Sequence, residues 1–331
     1  MVLIHTTPFV GYSTSYDAWY YLGQVIQQLT SFAVPFFYIV AGYFFSLGIR
    51  KSGLPLRFRR QFFRIFFLLA VWTVICGVFG ASWLQAVIEY GSLKPLVWNF
   101  VSIPTFALAN LDVFVFRTTA VLLWFLVSML VGITAVSLLI FLKLNAFMIM
   151  VIGAALYLLA LSVGTYHESW LGIGVSLPLE QRGVFLAIFH LAIGHYIACK
   201  YDADQAARRA TLWLLLAVVL MFAEGYLVSR SHGVTFQEHA SLASTPLFAA
   251  AVFLLALERS STSGETFMSR IGTASLGIYV IHIPLLGAVS YYRYWMKSPI
   301  WELAIPILVV AASMLLFELV SRLPYLRRTV T

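Results

Sequence analysis

The chain has 331 residues, of which 61% are hydrophobic, 16% aromatic and only 10% charged. A soluble domain of this length needs a larger charged surface, so the composition excludes a soluble protein and indicates helices that span a bilayer. The formal net charge is +8, but the Lys and Arg residues stand in short clusters between apolar runs. The positive-inside rule accounts for such clusters, so we expect no nucleic-acid partner.

Apolar stretches predict the membrane spans in chain order. A helix needs about 20 apolar residues to cross the hydrocarbon core of a bilayer. By this criterion the predicted spans lie at residues 1–12, 25–48, 65–81, 119–141, 146–164, 182–199, 211–228, 243–257, 271–290 and 300–321. The expected fold class is therefore all-α, a polytopic membrane bundle of about ten helices with both termini in the cytoplasm. It forms a single membrane-embedded domain over residues 1–331.

The connecting segments alternate in charge, which predicts the side of the membrane on which each lies. The basic segments predicted to be cytoplasmic are 50–64, Lys143, 200–209, 258–270 and 322–328. The segments poorer in Lys and Arg, predicted to be extracytoplasmic, are 10–24, 82–118, 165–181, 229–242 and 291–299. The two main connections are thus a basic cytoplasmic loop at 50–64 and a long extracytoplasmic loop at 82–118.

The first predicted span is short and carries a histidine. Twelve helical residues rise only about 18 Å, little more than half of the hydrocarbon thickness. We therefore expect the first helix to start about ten residues before Met1, so that the chain as given begins inside it. Ionisable groups within spans are costly and are candidates for function. His5 is such a candidate, and its rival interpretation is a histidine that bonds a neighbouring carbonyl at the membrane interface.

A late span carries a second polar group. Ser275, Tyr279 and His282 follow at spacings of four and three residues, so they share one helical face. This face predicts either a cavity or a hydrogen-bond network that holds helices together. In another span, Glu224 is interpreted as the one carboxylate well inside the membrane, pairing with a histidine or with Arg230.

Three arginines in the basic segment predict an anion site. Arg57, Arg60 and Arg64 carry guanidinium groups, which match the geometry of phosphate oxygens. The rival interpretation is topology signalling together with contacts to lipid headgroups.

Five stretches in this order resemble the membrane-bound acyltransferase 3 family. The most specific is "FAVPFFYIVAGYFFSLG" at 32–48, which is similar to the second helix of the family. The others are "IHTTPF" at 4–9, "RFRRQFFRIFFLLAVW" at 57–72, "LLWFLVSML" at 122–130 and "SLGIYVIHIPLL" at 275–286. The family pattern also places an arginine eleven residues before the first-helix histidine, which here would lie before Met1.

The resemblance implies an O-acyltransferase of the bacterial plasma membrane. Its donor substrate would be a cytoplasmic acyl-CoA, commonly acetyl-CoA, and its acceptor a hydroxyl of a glycan or lipid-linked sugar at the outer face. It implies no permanently bound cofactor and no metal. His5 becomes the candidate general base or acyl relay, because imidazole titrates near neutral pH. Arg57, Arg60 and Arg64 become candidates to hold the phosphates of coenzyme A, and the supporting cavity residues are Ser275, Tyr279, His282 and Glu224.

Two other functions stay open at the level of sequence. A transporter or flippase of glycan precursors or small amphiphiles would also use ten spans and ionisable groups within the membrane. A non-catalytic, degenerate family member is the third interpretation, and it depends on whether the upstream arginine is absent. The acceptor, the acyl chain and the oligomeric state are not predicted.

Overall fold

The fold is described from a computed structural model of the chain. The described residues are 1–9, 17–80, 82–167, 172, 174–175, 177–200, 203–232, 241–260, 267–295 and 298–323. Parts of the predicted loops at 10–24, 165–181, 229–242, 258–270 and 322–328 lie outside these ranges.

Every secondary-structure element in the described ranges is a helix. In chain order the α-helices are α1 (Val2–Thr6), α2 (Ala18–Thr30), α3 (Ala33–Ser52), α4 (Leu54–Val78), α5 (Trp83–Tyr90), α6 (Lys94–Ala109), α7 (Leu111–Arg117), α8 (Trp124–Phe141), α9 (Ala146–Ser162), α10 (Leu179–Lys200), α11 (Ala203–His232), α12 (Thr245–Ser260), α13 (Phe267–Trp295) and α14 (Pro299–Arg322). A 3-10 turn at Val121–Leu123 precedes α8.

Seven helical stretches in the described part of the chain are long and apolar enough to cross a membrane. They are Ala18–Ser52, Leu54–Tyr90, Val121–Phe141, Gln181–Lys200, Ala210–Arg230, Ile271–Arg293 and Pro299–Arg322. Two shorter apolar helices, Ala146–Ser162 and Thr245–Glu258, fall on two further predicted spans. The all-α, polytopic class predicted from composition is confirmed, whereas the count of ten crossings and the cytoplasmic termini stay predictions.

The predicted basic loop at 50–64 is almost entirely helical. Helix α3 continues through Ser52, and α4 begins at Leu54. Only Gly53 separates them, with a φ of 78° that lies in the left-handed region. Glycine adopts this region without the steric cost that a Cβ would bring. Pro55 lies in the first turn of α4, where its missing N–H is tolerated. The cluster of basic residues therefore does not interrupt α3 or α4.

The predicted long loop at 82–118 is folded into helices α5, α6 and α7. Each of these has 16 residues or fewer, which is below the length that crosses a bilayer. Their length therefore explains why the sequence pattern indicated a connection here rather than a span.

By packing, the chain divides into two compact units. The first contains Met1–Ile26, Phe66–Trp124 and Gly264–Thr331, and the second contains Gln27–Ile65 and Phe125–Ser263.

In the second unit, α3 packs against α10 and α12, α9 packs against α10, and α11 packs against α12. The α3–α10 crossing is close because glycines lie at the contact. A Cβ on Gly42 would meet the backbone of Leu191, and a Cβ on Gly194 would meet the backbone of Ile39. Small residues at such crossings let helix backbones approach each other. Gly42 of the "FAVPFFYIVAGYFFSLG" stretch is thus a packing residue.

In the first unit, α13 packs against α14 and α5, and the short α1 packs against α13 and α14. Val2 of α1 is buried with Ile305 and Val309 of α14. Further along, the indole of Trp83 donates a 2.9 Å hydrogen bond to the carbonyl of Pro284. Leu285, Leu286 and Val289 of α13 pack against the Val2 cluster, so α1 lies beside the C-terminal half of α13.

Candidate active site

The first unit contains a cavity of about 420 Å³, within the usual size range of small-molecule sites. Most of its lining side chains are apolar or small. The lining residues are His5, Thr6, Cys76, Phe79, Gly80, Thr119, Ala120, Val121, Leu122, Ile283, Leu286, Gly287, Val289, Arg293 and Ile305. His5, Thr6 and Arg293 lie together, because the guanidinium of Arg293 donates to the carbonyl of Thr6 over 2.6 Å. The cavity therefore combines apolar walls with a polar end that carries an imidazole.

His5 is stacked on a second histidine. The ring centroids of His5 and His282 are 5.4 Å apart, and the ring planes differ by 25°. His282 is fully buried, and its Nδ1 bonds the carbonyl of Tyr279. Because a carbonyl only accepts, Nδ1 of His282 carries the proton and Nε2 is left as an acceptor. Within the described residues, this Nε2 has no hydrogen-bond partner.

Tyr279 connects this pair to the cavity wall. Its ring lies 5.5 Å from that of His282, and its hydroxyl donates to the carbonyl of Leu122. Leu122 itself lines the cavity. The structure therefore brings together three residues that the sequence singled out. Ser275, which shares the helical face, is half-buried and is not among the lining residues.

An ion pair holds the end of α1 at the polar end of the cavity. Arg293 donates to Glu302 through Nε at 3.0 Å and through Nη2 at 2.5 Å. It also donates to the carbonyls of Thr6 and Thr7, and the N–H of Phe9 donates to Glu302 over 3.0 Å. Thr7 and Phe9 have φ values of 40° and 65°. Non-glycine residues adopt this region only where their surroundings hold them there, so the pair fixes the backbone that follows His5.

The sequence pattern did not indicate either member of this pair as functional. It placed Arg293 in an extracytoplasmic segment at 291–299, whereas α13 continues through Trp295. It singled out Glu224 as the one carboxylate well inside a span and did not single out Glu302, which is only 3% exposed in the first turn of α14. The sequence feature that could have indicated the pair is an arginine and a glutamate on either side of the short connection between two apolar runs.

Glu224 has a local role at a helix start. Its carboxylate accepts hydrogen bonds from the N–H groups of Ala243 and Ser244 at 2.7 and 2.8 Å, and from the hydroxyl of Tyr166. Burial and this hydrogen bond raise the pKa of Tyr166, so the phenol stays protonated and donates. Among the described residues, Glu224 pairs with neither a histidine nor Arg230. Glu224 belongs to the second unit and is not among the cavity-lining residues.

The three predicted phosphate-binding arginines lie on one face of α4. Spacings of three and four residues place Arg57, Arg60 and Arg64 in line along the helix. Arg60 and Arg64 are exposed, whereas Arg57 is half-buried and donates to the carbonyl of Phe44 at 3.3 Å. The Nε of Arg57 has no hydrogen-bond partner in the described ranges. This part of α4 belongs to the second unit, whereas the histidines belong to the first.

Helices of membrane-spanning length indicate a helical membrane protein, and the cavity with a histidine at its polar end is its candidate active site. Residues 1–321 match the acyltransferase 3 family, whose model is described as an acyltransferase domain. The match covers nearly the whole chain, and the chain belongs to this family.

One curated relative is a protein of Enterococcus faecalis named as an amino-acid racemase. It is 25% identical over 348 aligned positions, which cover 98% of this chain and 44% of the racemase. The chain thus spans less than half of the length of that relative. No solved structure matches the chain significantly.

Proposed function

We propose that the protein is a membrane O-acyltransferase. It moves an acyl group, with acetyl as the simplest case, from cytoplasmic acyl-CoA to a hydroxyl of a glycan or lipid-linked sugar at the outer face. The acceptor hydroxyl forms a bond to the thioester carbonyl carbon while the bond from that carbon to sulfur breaks. The hydroxyl proton passes to an imidazole, and the thiolate of coenzyme A takes up that proton and leaves as a thiol. The bacterial plasma membrane is the proposed location.

The position of His5 carries this proposal. In a chain of an acyltransferase family, an imidazole lines a cavity of substrate size and stacks on a buried histidine. Imidazole is the side chain suited to accept a hydroxyl proton at neutral pH. His282 and Tyr279 support the position of His5 but do not line the cavity themselves. We therefore assign the general base to His5 and supporting roles to His282 and Tyr279.

The donor site is proposed on α4. Coenzyme A carries phosphate groups, and guanidinium forks bind phosphate oxygens. Two of the aligned arginines are exposed, and the third has an Nε without a described partner. This arrangement supports Arg57, Arg60 and Arg64 as the binding site for the nucleotide part of the donor.

Racemase chemistry is not part of the proposal. More than half of the Enterococcus faecalis protein lies outside the match, so its name describes a protein with a large additional part.

The test uses the purified chain in proteoliposomes with acetyl-CoA and a lipid-linked N-acetylglucosamine as probes. Release of coenzyme A thiol and transfer of labelled acetyl to the lipid fraction are both measured. We expect His5→Ala to lower both rates at least 100-fold, because positioned general bases contribute about 10²- to 10⁴-fold. Undiminished rates in His5→Ala would overturn the role of His5.

His167→Ala serves as the matched control. His167 is half-buried, bonds the carbonyl of Gly164 at 2.7 Å and is not a cavity-lining residue. We expect its replacement to leave both rates unchanged. Absence of any thiol release by the wild-type chain above empty liposomes would contradict the acyltransferase proposal and favour the transport alternative.

A further inference from the structure

The cavity is larger than an acetyl group requires. One water molecule takes a share of about 30 Å³ in the liquid, so the three heavy atoms of an acetyl group take about 90 Å³ on the same scale. The cavity measures about 420 Å³. Its volume leaves room for several further heavy atoms beyond an acetyl group.

Most of the cavity wall matches an alkyl chain. It contains apolar side chains, among them Phe79, Val121, Leu286 and Ile305. Apolar walls gain stability from contact with methylene groups, whereas sugar hydroxyls would leave their hydrogen bonds unmade there. The polar end is formed by His5, Thr6 and Arg293, and a further polar lining residue, Thr119, donates its hydroxyl to the carbonyl of Thr73. A thioester carbonyl at that end would direct its alkyl chain along the apolar walls.

Gly80 leaves open space at the wall. A Cβ built on Gly80 meets no described atom within 4 Å, and the φ of Gly80 is not in the left-handed region. A side chain at this position is therefore tolerated by the backbone and by its neighbours. Gly77 lies three residues earlier, within α4, and differs because its Cβ would meet Ile103 at 2.6 Å. Gly80 is thus a lining position that can be filled without disturbing the wall.

We propose that the cavity beside His5 is an acyl-chain pocket that accepts acyl groups longer than acetyl, and that Gly80 sets the chain length. This inference rests on the proposed acyltransferase function. Methylene groups in an apolar pocket change discrimination by about 10-fold or more, so a filled Gly80 position selects strongly against long donors.

The experiment compares acetyl-CoA, butanoyl-CoA and hexanoyl-CoA in proteoliposomes that contain the wild-type chain, Gly80→Ala or Gly80→Val. We expect the wild type to turn over all three donors. The ratio of kcat/KM for hexanoyl-CoA to that for acetyl-CoA should fall in the order wild type, Gly80→Ala, Gly80→Val, with a loss of about 10-fold or more in the last.

Two further variants keep the test informative. Gly272→Val adds the same side chain at an exposed helical glycine whose Cβ also meets nothing within 4 Å, and it is not a lining position. We expect its donor ratio to equal that of the wild type. Val121→Ala removes bulk from a lining residue that is half exposed. It should shift the ratio in the opposite direction, towards the longer donor.

The outcomes separate this inference from the proposed function. A wild type that uses acetyl-CoA alone, or a donor ratio unchanged by Gly80→Val and Val121→Ala, would overturn the acyl-chain pocket while acyl transfer stands. Turnover of no donor would overturn the proposed function. In that case ligand-induced thermal stabilisation still tests whether the pocket binds longer acyl chains. Hexanoyl-CoA should then raise the melting temperature more than acetyl-CoA in the wild type but not in Gly80→Val, and equal stabilisation would overturn the pocket.

Discussion

Arg293 and Glu302 form a buried ion pair that connects helices α1, α13 and α14 of the first unit. The guanidinium makes two hydrogen bonds to the carboxylate, at 3.0 and 2.5 Å. The same two side chains bond the backbone of Thr6, Thr7 and Phe9 at the end of α1. A pair formed by residues of α13 and α14 thereby sets the course of the chain that follows His5.

The first prediction concerns the stability of this pair. Glu302→Gln keeps the shape of the side chain but removes its charge, so Arg293 is left as an uncompensated and largely buried charge. Breaking a buried pair from one side costs about 3 to 5 kcal/mol. We expect a loss of this order in the free energy of unfolding, measured by SDS titration with circular dichroism.

Glu318→Gln is the matched control for Glu302→Gln. Glu318 and Arg322 form an exposed pair at the end of the last helix, with a distance of 3.0 Å and side chains that are 51% and 71% exposed. Exposed pairs contribute about 0.2 to 1 kcal/mol. Equal losses in the two variants would contradict the structural role of the Arg293–Glu302 pair.

The second prediction distinguishes an effect on the cavity wall from a general loss of stability. Tyr279→Phe removes the hydroxyl that bonds the carbonyl of Leu122, and Tyr157→Phe removes one that bonds the carbonyl of Leu242 at 2.6 Å. Both tyrosines are 3% exposed, and each change removes one buried hydrogen bond at a cost of about 0.5 to 1.5 kcal/mol. We expect similar losses of stability but a lower kcat only in Tyr279→Phe, because Leu122 lines the cavity.

Unfolding and acetyl-CoA turnover measured on the same preparations test this second prediction. An unchanged kcat in Tyr279→Phe would show that the wall near Leu122 does not take part in the reaction.

The third prediction tests the phosphate site on α4. Arg60→Ala and Arg64→Ala should raise the KM for acetyl-CoA, and they should leave the KM for acetylpantetheine, which lacks phosphate, unchanged. Kinetics with the two donors measure this difference. Arg59→Ala is the control, because Arg59 is equally exposed but points to the other side of the same helix. A rise in KM for both donors, or an equal effect of Arg59→Ala, would argue against phosphate binding by this face.

The fourth prediction concerns Glu224. Glu224→Ala leaves the N–H groups of Ala243 and Ser244 without their acceptor at the start of α12. Loss of a helix cap costs about 0.5 to 2 kcal/mol. We expect a lower melting temperature, measured by tryptophan fluorescence, together with unchanged acetyl-CoA turnover per folded molecule. A loss of turnover without a loss of stability would restore the cavity role that the sequence predicted for this residue.

The sequence was a good guide to the helices and a poor one to the connections. Each predicted span overlaps at least one helix in the described residues, because apolar length and periodicity are local properties of the chain. The predicted first span at 1–12 is the poorest match, since α1 already ends at Thr6. The segments at 50–64 and 82–118 were predicted as loops, and the structure has helices there. Charged residues and short apolar runs lower the hydropathy by which spans are predicted, but they do not prevent helix formation.

The sequence by itself determined the class of protein, the resemblance to the acyltransferase 3 family and the choice of His5, Tyr279 and His282 as candidates. The tertiary structure decided which of these meet and what holds them. His5 lies on His282, and Phe9 bonds Glu302, 293 positions further along the chain. Such contacts depend on how helices distant in sequence pack together. A pattern of residues along one helix shows which face is polar, but it does not identify the partner that this face contacts.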